Sequence, residues 1–108
     1  LIEGRIAGGI FLADHLRIPG LAAPDGPVTL GFRAEDATIA AEGEIAAPIY
    51  TLELLGDATM VTVRTGGALV AIKAPKDFRA EIGDPVAARV PPAACHLFHT
   101  ATGERLSR

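Results

Sequence analysis

Apolar residues come in short groups that alternate with polar ones, and glycine-, proline- or aspartate-containing breaks separate the groups. That spacing predicts β-strands joined by tight turns, because a strand exposes its two faces with a period of two residues. The first group runs from Ile2 to Ile6, followed by Ile10-Phe11-Leu12 and then by Leu16 and Ile18. Gly8-Gly9 and Asp14-His15 interrupt them where hairpin turns belong. Pro19 to Pro27 is poor in strand formers and reads as a loop. Val28 to Phe32 is the next strand, with Val28, Leu30 and Phe32 on one face. Arg33 to Asp36 then predicts a turn or a single helical turn, and Ala40-Ala41 a spacer.

The longest predicted strand runs from Glu42 to Leu55. Its inward set begins as Gly43, Ile45, Ala47 and Ile49, then changes phase to Tyr50, Leu52 and Leu54. A phase change near Pro48 predicts a bulge or bend, which lets one strand serve two sides of a small barrel. Gly56-Asp57 turns the chain into Thr59 to Thr65, and Gly66-Gly67 turns it again into Leu69 to Lys73. These three segments predict a meander. Phe78 to Ile82 has the spacing of one or two helical turns before Gly83-Asp84. Val86, Ala88 and Val90 alternate in a short strand ended by Pro91-Pro92, Cys95 to His99 forms a last strand, and residues 100–104 form a turn. The prediction is therefore an all-β fold, with no helix-length pattern and no internal repeat.

Composition narrows this reading without redirecting it. A chain of 108 residues suits a single domain over residues 1–108. Apolar residues make up 49%, much of it alanine, so the core is built from small side chains and a partner surface can complete its packing. Ten Lys or Arg against thirteen Asp or Glu give a charge of −3 spread along the chain, which argues against a nucleic-acid stripe. Phe11, Phe32, Tyr50, Phe78 and Phe98 are also isolated from one another, unlike the stacking platform of a single-strand binder. Cys95, the only cysteine, excludes an internal disulfide and fits a reducing compartment. No apolar run is long enough to span a bilayer, and there is no signal-peptide arrangement, so the chain reads as soluble. It opens at Leu1 without a methionine, which fits a piece of a longer protein. Ile2-Glu3-Gly4-Arg5 also matches a protease recognition tetrapeptide, although Ile6 continues the same apolar pattern.

Candidate chemistry is sparse. Gly8-Gly9 and Gly66-Gly67 lack the lysine and helix of a phosphate-binding loop, and so read as hairpin turns. Cys95-His96-Leu97-Phe98-His99 is the one cluster with metal-ligand character, but a closed zinc site needs four ligands and His15 is the only other histidine. His96 and His99 also face opposite ways if the segment is extended. A nucleophilic Cys95 lacks an identifiable third group to orient its base. The scattered carboxylates, including Glu42, Glu44, Glu53, Asp57, Asp77, Glu81 and Asp84, read as solvation of edges and turns. Arg33 with Glu35 and Asp36 can organise a turn or take a carboxylate, since a guanidinium offers a planar fork of donors.

Leu30-Gly31-Phe32-Arg33-Ala34-Glu35-Asp36 resembles the Gly-hydrophobic-Arg-Pro-Glu-Asp/His motif of a known family. That motif occurs in the C-terminal domains of ATP-binding subunits from carbohydrate-import ABC transporters, in the maltose and glycerol-phosphate importer group. Glu42-Gly43-Glu44-Ile45, Glu53-Leu54-Leu55-Gly56-Asp57 and Pro91-Pro92-Ala93-Ala94-Cys95-His96-Leu97-Phe98 extend the likeness along the chain. The accessory domain concerned is the transport-associated oligonucleotide-binding-like, or TOBE, domain. The resemblance implies a small OB-like barrel of antiparallel strands. It places Gly31, Arg33, Glu35 and Asp36 in the family turn, Gly56 and Asp57 in the family hairpin, and His96, Leu97 and Phe98 in the terminal strand. Ala34 stands where the family usually has proline, which removes a restraint on φ.

The same resemblance implies a non-catalytic dimerisation or regulatory domain that follows an ATPase domain in a subunit powering sugar or related solute import. No cofactor or metal is expected in this segment, ATP and Mg belonging to the ATPase domain. The implied partners are a second copy of the subunit, the membrane subunits reached through the ATPase domain, and a regulatory protein, with no nucleic acid. The implied location is cytoplasmic and peripheral to the inner membrane. The alternative is an independent domain that binds or senses a small sugar or oxyanion.

Overall fold

A computed structural model describes residues 1–106. Its strands are β1 (Ile2–Ala7), β2 (Ile10–Ala13), β3 (Leu16–Ile18), β4 (Gly26–Gly31), β5 (Thr38–Ala40), β6 (Ile45–Leu55), β7 (Ala58–Thr65), β8 (Ala68–Pro75), β9 (Pro85–Arg89) and β10 (His96–His99). Every pairing between them is antiparallel. Along the main path the order is β10-β4-β1-β2-β3-β6-β7-β8, while β9 joins β5 to β6. The sheet curls into an open half-barrel, an OB-like small β fold.

β6 is what makes the sheet curl. Its first part, Ile45 to Pro48, pairs with β9, and Thr51 to Leu55 pair with β7. Between the two the register slips, with Ile49 opposite Val63 and Thr51 opposite Thr62, so Tyr50 is an extra residue. This is the predicted bulge, placed two residues beyond Pro48. Its position follows from the backbone of Ile49, whose N–H donates to the Asp84 carbonyl at 2.9 Å and whose carbonyl accepts from Gly83 N–H at 2.9 Å. The strand is held to the loop before β9 at that residue, and the next residue is pushed out of the ladder.

The alternation read from sequence selects the core. Leu16 and Ile18 are buried around exposed Arg17, and Ile45, Ala47 and Ile49 are buried on β6. Val61, Val63 and Ile72 face the same interior from β7 and β8. Phe11 is fully buried, a contribution of roughly 2–3 kcal/mol from transfer alone. Gly4 makes room for it, because a Cβ there would lie 2.5 Å from Phe11 Cζ and 2.5 Å from the Leu12 carbonyl oxygen. Phe32 and Phe78 pack against the core, whereas Tyr50 is exposed.

The turns differ in what they require. Gly8-Gly9 and Gly66-Gly67 both have left-handed φ at two successive residues, as a two-residue hairpin of the primed type demands. No residue of the Gly56-Asp57 turn is left-handed, so that hairpin is not held by glycine's conformational freedom.

Several expectations need correction. Phe78 to Ile82 forms no helix. Glu81 N–H donates to the Asp84 carboxylate at 2.9 Å, and Arg79 Nη1 donates to the carbonyls of Lys76 and Phe78 at 2.8 and 2.9 Å. Those side chains take the backbone groups a helix would have paired, in the way that short polar side chains favour turns. β5 was not predicted; it is three residues long, without a bulky alternating face, and exists through pairing with β9. The inward set after the bulge is also narrower than predicted. Leu52 is half-buried, but Tyr50 is 43% and Leu54 66% exposed, because the bulge turns Tyr50 outward and the β6–β7 hairpin extends past the core. Gly43, expected inside the strand, precedes it and is exposed.

Candidate functional site

The motif residues separate into two groups. Around β4 and β10, Gly31 lies opposite His96 and Leu30 opposite Leu97, which brings the first and last motifs of the chain together. The chain then enters a 3-10 turn over Ala34–Asp36. Arg33 N–H donates to Asp36 Oδ2 at 3.0 Å, and Asp36 N–H donates to the Arg33 carbonyl at 2.9 Å. It is therefore the Asp36 carboxylate and the Arg33 backbone that organise this turn. The Arg33 and Glu35 side chains are exposed. Gly56 and Asp57 lie in the separate β6–β7 turn, between the paired residues Leu55 and Ala58.

The terminal motif is structural as well. Leu97 is buried, Phe98 half-buried, and Arg105 Nη2 donates to His96 Nδ1 at 2.6 Å. Cys95 is buried, with its Sγ donating to the Pro91 carbonyl at 3.6 Å. Burial, helped by the nearby Asp36 and Glu44 carboxylates, pushes its thiol up to about 11. Such a thiol is protonated at neutral pH, the reverse of an activated nucleophile. Among the described residues no group of three or more His, Cys, Asp or Glu side chains is placed to hold a metal ion.

Glu42-Gly43-Glu44-Ile45 is explained by its neighbours. A Cβ at Gly43 would collide with the backbone of Ala88, so only glycine allows that close approach. Glu44 Oε1 accepts from Val90 N–H at 2.7 Å, and its carbonyl accepts from Arg17 N–H at 2.9 Å. Ile45 is fully buried. One short segment thus ties β3, β6 and the end of β9 together.

Shallow concavities border the motifs at Gly31, Gly43 and Gly56, and two others lie on residues outside them. A groove of about 690 Å³ runs over β5, β6 and β9, between His15 and Phe78, and is floored by small side chains such as Ala47 and Ala87. A second concavity of about 310 Å³ shares His15 and Pro48 with it and adds Asp14, Tyr50 and Arg64. The Arg64 guanidinium carbon sits over the Tyr50 ring, 4.8 Å from its centre. Sequence reasoning did not find this site. The available signals were the phase change that turns Tyr50 out and the Asp14-His15 turn, where His15 adopts a left-handed φ of 64°.

The fold and these sites define a small all-β module of OB-like form. No described helix is long and apolar enough to cross a membrane. The family model for the TOBE domain matches residues 30–98, and the chain belongs to that family. TOBE domains are non-catalytic accessory domains of ABC-transporter ATPases. Over 98% of its length the chain is 32% identical to the sn-glycerol-3-phosphate import ATP-binding protein UgpC of Jannaschia sp. (strain CCS1). It is 30% identical, again over 98%, to the protein of the same name from Salmonella typhi. It spans about a third of the length of these curated relatives, 31% and 32% respectively.

Proposed function

We propose that this chain is the dimerisation and regulatory domain of an ATP-binding subunit that powers import of a sugar or related solute, with glycerol phosphate among the candidate cargoes. The observation that carries the reading is the family match over residues 30–98, together with relatives described as glycerol-3-phosphate import ATP-binding proteins. In this proposal the chain follows an ATPase domain in a longer polypeptide, ATP and Mg being handled there. It works in the cytoplasm at the inner membrane, and a second copy and a regulatory protein are its partners. Gly31, Arg33, Glu35, Asp36, Gly56, Asp57, His96, Leu97 and Phe98 serve as the frame that presents its surfaces, not as reacting groups.

The physical role is to set where one ATPase domain sits relative to the other. A rigid half-barrel that pairs with its copy changes the equilibrium between open and closed nucleotide domains only if it favours one of the two arrangements. The test is to express the longer subunit with and without this domain and to measure its oligomeric state, ATP turnover and solute uptake. Weaker assembly or altered control of turnover is expected on deletion. Unchanged assembly, turnover and uptake would refute the proposal.

A further inference from the structure

We infer that the concavity formed by Asp14, His15, Tyr50 and Arg64 is a binding site for a small neutral polyol, a ligand with the hydrogen-bonding chemistry of a carbohydrate. The site goes beyond the dimerisation reading and does not depend on it.

Three separate pieces of chain converge there. Asp14 and His15 come from the β2–β3 turn, Pro48 and Tyr50 from the bulged part of β6, and Arg64 from the end of β7. Two local departures from regular structure create the convergence. His15 holds a left-handed φ of 64°, which is uncommon for a residue with a Cβ. Tyr50 is the residue expelled by the β6 bulge, and bulges re-aim side chains in this way. An unbulged β6 would return Tyr50 to the ladder.

The charges select the ligand. Arg64 is stacked on Tyr50, which orients its guanidinium without using its N–H donors. Asp14, a pure acceptor when ionised, lines the same concavity. A small anion would suit Arg64 but be repelled by Asp14, and a small cation would meet the converse conflict. A neutral molecule carrying several hydroxyls satisfies both, donating to Asp14 and accepting from Arg64, with His15 able to do either. Pro48 supplies an apolar wall for the C–H face of such a molecule. A volume of about 310 Å³ suits a compact ligand of this kind, and the shared border with the 690 Å³ groove leaves room for an apolar substituent.

The test is a titration of this chain, labelled with nitrogen-15, with D-glucose as the neutral polyol and inorganic phosphate as the anion. The expected result is saturable glucose-induced shifts at the amides of Asp14, His15, Tyr50 and Arg64, in the millimolar range. Asp14→Ala and Arg64→Ala each remove a charged hydrogen-bonding partner and should weaken binding roughly tenfold. Both side chains are exposed, so an otherwise unchanged amide spectrum will show that the fold persists. Arg64→Lys keeps the charge but loses the planar fork and should also weaken binding, whereas Lys76→Ala, outside the concavity, should not. Saturation by phosphate without saturation by glucose would overturn the assignment in favour of an anion site. Absence of saturable shifts with either probe would overturn it outright, as would glucose binding unaffected by both alanine variants.

Discussion

Glu44 is half-buried, and its carboxylate accepts the backbone N–H of Val90 at 2.7 Å, at the point where β9 ends and Val90 is fully buried. Replacing it with alanine leaves that donor without a partner in a site closed to water. A hydrogen bond to a charged group contributes roughly 1.5–3 kcal/mol net, and an orphaned buried donor costs about as much, so Glu44→Ala should destabilise the chain by about 2 kcal/mol. The main-chain carbonyl of Glu44, which accepts from Arg17 N–H at 2.9 Å, survives the change and limits the damage to one contact. Glu44→Gln keeps an acceptor of the same length and should lose less than about 1 kcal/mol. Urea denaturation followed by circular dichroism reads both. With a slope of about 2 kcal/mol per molar, the alanine variant should unfold about 1 M earlier at unchanged slope. A midpoint for Glu44→Ala within error of the parent chain would refute the reasoning. Equal losses for the alanine and glutamine variants would show that charge, and not the acceptor, is what matters.

Two glycines should respond oppositely to alanine. Gly4→Ala places a Cβ 2.5 Å from both Phe11 Cζ and the Leu12 carbonyl oxygen, and should cost about 3 kcal/mol, lowering Tm by more than about 10 °C. Gly56→Ala meets open space and no left-handed φ, so its Tm should stay level or rise by the equivalent of up to about 1 kcal/mol. Asp36→Ala removes the acceptor for Arg33 N–H and should lose about 1 kcal/mol in thermal denaturation, with Asp36→Asn recovering most of it. Cys95 makes stability fall with alkali. Its thiol titrates at about 11 in the fold against 9.0 for the ordinary group, so between those values the unfolded chain has given up a proton that the folded chain still holds. The contribution is fully present below pH 9.0 and is lost by about pH 11, a total of roughly 3 kcal/mol that Cys95→Ser should reduce. Alkylation of Cys95 at neutral pH should correspondingly be slow, as measured by mass spectrometry.

The strands that sequence revealed are those whose local pattern and tertiary setting agree. Leu16-Arg17-Ile18 and Val61 to Val63 alternate because each faces one core, and the structure places them so. β5 escaped because Thr38-Ile39-Ala40 has no face of its own to read; β9 supplies the partner that makes it a strand. Phe78 to Ile82 misled because its apolar spacing is compatible with a helix. The competing hydrogen bonds of Asp84 and Arg79 are local, joining residues no more than three apart, and apolar spacing does not register such side-chain-to-backbone bonds. The bulge was legible as a change of phase, but its register was not, since Ile49 is held by Gly83 and Asp84 from another segment. The concavity at Tyr50 depends on that register, and the residues that line it are scattered along the sequence and meet only once it is set.

The motif contacts and the concavity at Tyr50 therefore answer to different constraints. Gly43 lies too close to Ala88 for any side chain, Glu44 closes the end of β9, and Asp36 closes the turn after β4. Each is required by a backbone contact, so a substitution there is felt by the fold whatever the domain does. Asp14, Tyr50 and Arg64 have no such duty: they are exposed, and Tyr50 has already left the ladder. Their side chains can change with little effect on the half-barrel while altering what its concavity accepts. Substitutions in the first set should move the denaturation midpoint and leave ligand titrations of the surviving folded chain alike. Substitutions in the second should do the reverse, and a variant such as Arg64→Ala that lost stability by 2 kcal/mol or more would break this division.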